Sequence, residues 1–241
     1  MSGRLVGIGT GPGDPELLTL KAVRALAAAD VVAHFAKEGR NGNARATVEG
    51  LLRPGVEELA LRYPVTTEMP RHEPEYCMAI EGFYAGAAAA VEARLREGRT
   101  VAVLSEGDPL FYGSYMHLHV RLARRYEAEV IPGVTAMSGS WSQAGLPLVQ
   151  GDDVLSVLPG TLPEAELVRR LGQCEAAVIM KVGRNLGKVR AALATAGKLG
   201  RAVYVERATM AATSAVRLAE KQDDEAPYFS LVLVPGWEGR P

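Results

Sequence analysis

The chain of 241 residues is short of cysteine, of surplus charge and of long apolar runs, and each shortage excludes a class of protein. Its two cysteines, Cys77 and Cys174, lie far apart and neither belongs to a CxxC pair, so no zinc site and no disulfide framework is expected. The formal net charge is −1, with acidic and basic residues interspersed. No basic block is present to lie along a phosphate backbone, which argues against a nucleic-acid partner. No apolar stretch reaches the ~20 residues that span a bilayer, and the N-terminus lacks a signal pattern. The expectation is a cytoplasmic protein with no membrane partner and no metal, long enough for one or two domains with a substantial core.

What is present is alternation. RLVGIG predicts a strand and PELLTLKAVRALAAA a helix, with apolar residues three and four apart. ADVVAHF predicts a second strand, EPEYCMAIEGFYAGAAAAVEARLREG a long helix closed by Gly98, TVAVLS a buried strand, SYMHLHVRLARRY a helix and AEVIPG a strand. The pattern restarts with DVLSVLP, EAAVIMKVG, RAVYVE and YFSLVLVPG as strands, several joined by helical segments. Strand–helix alternation implies an α/β fold with a largely parallel sheet. The boundary is expected within 132–144, rich in Gly, Ser and Pro, dividing the chain into two α/β domains, 1–136 and 137–241, with a ligand cleft between them. The least periodic stretch, 38–74, is the expected home of substrate-facing loops.

The glycine-rich segment VGIGTGPGDPELLTLKA raises the question of phosphate binding, and its chemistry argues against it. A phosphate loop needs Lys and Ser or Thr after its last glycine; here Gly13 is followed by Asp14 and Pro15, a negative charge and a residue without an amide hydrogen. A dinucleotide fingerprint counted from Gly7 meets Pro12 where its third glycine belongs, and Asp30 precedes a strand instead of ending one. The loop therefore binds something uncharged or cationic, or only makes a turn. Two further loops of similar make-up, SEGDPLFYGS and IPGVTAMSGS, each follow a strand. Ligands of open α/β sheets bind at the carboxyl ends of strands.

GTGPGDPELLTLKA, ADVV, EGDPLFYGS and IPGVTA, in this order and spacing, resemble the tetrapyrrole methylase family over essentially the whole chain. Within that family, VVAHFAKEGRNGNARATVEG, YPVTTE and IMKVGRN are most similar to the branch that methylates C-20 of precorrin-2 on the cobalamin pathway. The resemblance implies an S-adenosylmethionine-dependent methyltransferase that releases S-adenosylhomocysteine, acts on a small-molecule tetrapyrrole and works as a homodimer. It places Pro12, Glu106, Gly107, Asp108, Phe111, Thr135 and Ala136 at the cofactor, and Val182 and Ala208 toward its adenosine end. Glu106 stands where many relatives have glycine, facing the methyl and substrate or serving as a hydrogen-bonded turn acid. Glu106, His117 and Tyr112 are the candidates for a base, with Glu106 the catalytic choice. A substrate rich in carboxylates calls for arginine and lysine forks; Lys37, Arg40, Arg45, Arg62, Arg71, Lys181 and Arg184 are the candidates. The residues do not decide whether the ring already carries cobalt, or exclude methylation of another tetrapyrrole carbon.

Overall fold

The structure is a computed structural model that describes residues 3–64 and 74–236. The chain divides into two compact units, Met1–Thr135 and Ala136–Pro241, and both are α/β.

The first unit runs β1 (Arg4–Gly9), α1 (Leu20–Ala28), β2 (Val31–Lys37), α2 (Asn43–Thr47), β3 (Glu57–Tyr63), α3 (Pro74–Arg96), β4 (Thr100–Ser105), α4 (Tyr115–Leu122) and β5 (Glu127–Ile131). Its five strands are all parallel, in the order β3-β2-β4-β1-β5. Both faces are covered, which is why β1, β2 and β4 read as nearly continuous apolar runs. On one face Val6, Ile8, Val32, Ala102 and Leu104 pack against Ala22 and Leu26 of α1 and Ala44 of α2. On the other, Leu5, Ala33, Val101 and Val103 pack against Ala87, Ala88 and Val91 of α3 and Tyr115, Leu118 and Leu122 of α4. Gly7 permits the last contact, since a Cβ there would lie 2.5 Å from the Tyr115 ring.

In this unit two expectations need correction. PELLTLKAVRALAAA is not one helix: Asp14 caps a short 3-10 turn at Pro15–Leu17, the chain then extends, and Thr19 caps α1, its Oγ1 accepting from Ala22 N–H at 3.1 Å. Two capping residues five apart produce two starts. The stretch 38–74 is not irregular throughout, because it contains α2 and β3. β3 escapes the apolar pattern as an edge strand, whose Glu57, Glu58 and Arg62 pair with arginines and backbone at the surface. The VTTE end of YPVTTE and Arg71 lie outside the described residues.

The second unit comprises α5 (Ala136–Gln143), β6 (Leu155–Pro159), α6 (Glu164–Leu171), β7 (Ala176–Met180), α7 (Leu186–Thr195), β8 (Val203–Glu206), β9 (Ser214–Arg217) and β10 (Ser230–Val234). Its sheet, ordered β6-β7-β10-β8-β9, is mixed and not largely parallel: only β6 and β7 run parallel, and β10 is antiparallel to both its neighbours. No long helix joins β8 to β9 or β9 to β10, and a parallel pair requires such a crossover. The Gly- and Ser-rich stretch expected to carry the boundary forms α5, whose Ala136, Met137 and Trp141 pack on Val178, Val205 and Leu233. Among the described residues no helix is long and apolar enough to cross a membrane.

Candidate functional site

β4, β1 and β5 are neighbours and end in step. Gly9 pairs in register with Ser105, and Ile8 with Ile131, so three loops leave the sheet at one level. The crossover from β1 runs through α1 on one face, and that from β4 through α4 on the other. Adjacent strands whose chains depart to opposite faces define a topological switch point, where open α/β sheets bind ligands.

The three loops are interlocked at that point. Gly11 and Gly107 exchange backbone hydrogen bonds, Gly107 N–H donating to Gly11 O at 2.8 Å and Gly11 N–H to Gly107 O at 3.3 Å. Both glycines have positive φ, 75° and 63°, a region that favours glycine. Gly133 brings in the third loop: a Cβ there would stand 2.1 Å from Gly107 O, and one on Gly9 would stand 2.5 Å from Gly133 N. Asp108 fastens the assembly, its Oδ1 accepting from Leu110 N–H at 2.9 Å and its Oδ2 from Gly133 N–H at 3.2 Å. Thr10 is buried, its N–H and hydroxyl both donating to Ser105 O. Pro12 is buried within the first loop. The Ser105 hydroxyl, 4% exposed, has no hydrogen-bond partner among the described residues. A buried orphan hydroxyl beside bare glycine backbone suits a polar, uncharged ligand group. Asp14, Glu106 and Asp108 give the edge an acidic character that suits a cation and not a phosphate.

Glu106 is half-buried, and Asn43 Nδ2 of α2 donates to its Oε1 at 2.9 Å. Asn43 lies within the stretch VVAHFAKEGRNGNARATVEG, but no spacing links it to Glu106, because β2 and α2 bring it to β4 only through the sheet order. The neighbouring α2 residue Arg45 is turned the other way. Its guanidinium forms a two-pronged ion pair with Glu58, Nη2 donating to Oε1 at 3.0 Å, and this holds the Glu58 carboxyl below its usual range. The fork expected to grip substrate is thus committed to β3. Beneath it lies His34, 5% exposed, its pKa lowered chiefly by burial and its Nδ1 unpartnered among the described residues. Lys37, Arg40 and Arg62 are exposed around the ends of β2 and β3, Arg62 Nη1 donating to Lys37 O at 3.3 Å.

Past Asp108 the chain turns through Leu110, Phe111, Tyr112 and Gly113 into α4. The Phe111 and Tyr112 rings meet edge-on, 4.9 Å between centroids, and Tyr112 adopts φ 55°. A bulky residue in this left-handed region is a genuine outlier, and such strain gathers at functional sites. His117 stacks on Tyr84 with 3.8 Å between ring centroids, and burial, aided by Arg121, lowers its pKa.

Thr135 closes the first unit. In the second, Val182 is fully buried among Leu158, Ile179 and Leu186. Ala208 and Ala136 share one apolar cluster with Val205 and Leu231. Lys181, Arg207 and Thr209 all have positive φ, at the carboxyl ends of β7 and β8 and flanking Val182 and Ala208. The hydroxyls of Thr209 and Thr213 are buried without partners among the described residues. Lys181 is half-buried, and Arg184 is exposed in the turn Gly183–Asn185. No group of His, Cys, Asp and Glu with metal-binding geometry occurs among the described residues.

Strand-end glycine loops at a switch point, beside an acidic edge, define a small-molecule-binding α/β protein. The chain belongs to the tetrapyrrole (corrin/porphyrin) methylases, whose family model matches residues 4–222. It is 71% identical over 239 residues to a precorrin-2 C(20)-methyltransferase of Sinorhizobium sp, covering 99% of this chain and 98% of that one. It is 32% identical over 244 residues to the cobalt-precorrin-2 C(20)-methyltransferase of Salmonella typhimurium, covering 99% of each. Among solved structures, a cobalt precorrin-4 methyltransferase superposes with a TM-score of 0.70 at 25% identity, over 96% of this chain and 94% of that one.

Proposed function

We propose that this protein transfers a methyl group from S-adenosylmethionine to C-20 of precorrin-2, giving precorrin-3A in cobalamin biosynthesis. The observation that carries the chemistry is the interlocked set of glycine loops at the ends of β1, β4 and β5. The choice of substrate is supported by the close similarity to the Sinorhizobium enzyme along almost the whole of both chains. When bound, S-adenosylmethionine supplies a methyl activated by a sulfonium.

The residues present fit such a group. Bare backbone at Gly9 and Gly133 lets the three loops close on one another, the Ser105 hydroxyl awaits a partner, and the loop after β4 carries the carboxylates of Glu106 and Asp108. An activated methyl needs little acid–base help to leave. The protein's main task is then to hold the acceptor carbon in line, and orientation of this kind contributes up to ~7–11 kcal/mol to a barrier. In this reading Glu106, which accepts a hydrogen bond from Asn43, takes the proton that C-20 releases after methylation. Lys37, Arg40 and Arg62, at the ends of β2 and β3, supply cations for the substrate's carboxylates. Homodimerisation and a cytoplasmic location complete the proposal; light scattering that returns a monomer mass at micromolar concentration refutes the first.

The test is direct. Purified protein is incubated with precorrin-2 and S-adenosylmethionine carrying a carbon-13 methyl, and the product is read by mass and NMR. One added methyl at the C-20 meso position is expected. A label at any other carbon refutes the assignment, and turnover only with the cobalt-bearing ring transfers it to that substrate.

A further inference from the structure

The turn that leaves the Asp108 clamp presents two large apolar side chains. Leu110 is 48% exposed and Tyr112 45% exposed, at the carboxyl edge of the central strand β4. Tyr112 does so at φ 55°, a conformation that surrounding structure must enforce. The following Gly113 is held close against the turn, since a Cβ there would lie 2.8 Å from Pro109 O.

The hold comes from behind. Ser114 Oγ is clasped by two phenols, Tyr84 of α3 donating to it at 3.1 Å and Tyr63, the last residue of β3, sharing a hydrogen bond with it. These phenols are themselves fixed. Tyr84 stacks on His117, and Tyr63 packs on Phe83 with 4.5 Å between ring centroids. Two elements distant in sequence from Ser114 therefore converge on its hydroxyl, two residues from the strained tyrosine. The Tyr63 link also ties the turn to the end of β3, where Arg62 stands.

We infer that the Leu110–Tyr112 turn is a shelf for the substrate's macrocycle, and that Ser114 is the positioning residue that sets the shelf. The inference rests on the proposed function. Methyl transfer brings donor and acceptor into contact, so the substrate must lie against the same sheet edge as the cofactor loops. A reduced tetrapyrrole has a broad, mostly apolar ring with carboxylates at its rim. Leu110 and Tyr112 offer matching apolar and aromatic surface, and Lys37, Arg40 and Arg62 stand at the neighbouring strand ends for the rim. Ser114 acts through Tyr112 and does not touch the substrate.

The experiment compares Ser114→Ala, Ser114→Thr, Tyr112→Ala, Leu110→Ala and the double variant Ser114→Ala/Tyr112→Ala in the full-length chain. The readouts are kcat and KM for precorrin-2, calorimetric affinity for S-adenosylhomocysteine, and Tm. Ser114→Ala is expected to raise KM by about three- to tenfold, the worth of one hydrogen bond, and to leave S-adenosylhomocysteine affinity unchanged. Ser114→Thr, which keeps the hydroxyl, restores KM. Tyr112→Ala and Leu110→Ala each raise KM by about tenfold or more, as loss of a buried apolar side chain does. In the Tyr112→Ala background, Ser114→Ala adds nothing further, because coupled residues are not additive. An unchanged KM with a lowered Tm reduces the clasp to a structural contact and overturns the inference, as does full additivity. Leu110→Ala, at an exposed position, keeps the shelf testable where Ser114→Ala does not fold; an unchanged KM there also overturns it. Wild-type protein that leaves precorrin-2 unmethylated refutes the functional reading and the shelf with it, whereas wild-type turnover with unresponsive variants refutes the shelf alone.

Discussion

Replacing Asp108 by alanine tests whether the cofactor loops work as one assembly. The carboxylate joins the β4 loop to itself through Leu110 N–H at 2.9 Å and to the β5 loop through Gly133 N–H at 3.2 Å. A hydrogen bond to a charged group contributes about 1.5–3 kcal/mol. Leu110 N–H lies where water can replace the carboxylate, whereas Gly133 N–H is half-buried, so the loss is expected near the value of one such bond. At ~2–4 °C per kcal/mol for a chain of this size, Asp108→Ala should lower Tm by about 3–12 °C. Affinity for S-adenosylhomocysteine should fall by about ten- to a hundredfold, at 1.4 kcal/mol per decade. Asp108→Asn separates indirect from direct action, because its amide oxygen can accept from one N–H but its NH2 opposes the other. Through loop geometry alone, Asp108→Asn should fall between wild type and alanine in both Tm and affinity. Thermal unfolding and calorimetry on the three proteins decide the matter. Wild-type Tm and affinity in Asp108→Ala would refute the clamp; lost affinity at wild-type Tm in Asp108→Asn would mean that the carboxylate meets the ligand directly.

Gly133→Ala should destabilise the protein by about 1–3 kcal/mol, the usual cost of overpacking, and weaken S-adenosylhomocysteine, because its Cβ would stand 2.1 Å from Gly107 O; an unchanged melting curve refutes the close contact. Asn43→Ala should lower kcat by about three- to tenfold, the worth of the hydrogen bond that orients Glu106, and Glu106→Gln should lower it at least as much; steady-state rates equal to wild type in both remove Glu106 from the chemistry. His34 is buried with a pKa below its usual 6.5, so on acidification the unfolded chain binds the proton first. Its contribution is intact above pH ~6.5 and is lost as the pH falls toward the folded-state value, with a slope of up to about 1.4 kcal/mol per pH unit. Tm measured from pH 7.5 to 5.5 should therefore fall more steeply for wild type than for His34→Gln, and parallel curves refute this. Glu58, whose pKa is also lowered, responds only below the ordinary carboxylate range and does not enter that window.

The sequence by itself determined the α/β class, most strands of both units, and the three loops that meet at the switch point. Continuous apolar runs such as TVAVLS and AAVIM are buried on both sheet faces, and Gly with Pro after a strand marks a sharp turn whatever the rest of the chain does. Tertiary structure alone decided what those loops and their neighbours do to one another. β3 carries no apolar run because it is an edge strand, and its position brings Tyr63 to Ser114 and Glu58 to Arg45. The second sheet is mixed because its last strand inserts between β7 and β8, a pairing that no local pattern encodes. Asp108 reads as a ligand acid in EGDPLFYGS, yet both carboxylate oxygens accept backbone N–H groups, one from a glycine 25 residues further along the chain. Arg45 and Arg62 look alike in sequence, but one is committed to Glu58 and the other stands exposed at a strand end. A basic side chain's role depends on which acid the fold sets beside it, and that depends on strand order, a long-range property beyond the reach of residue spacing.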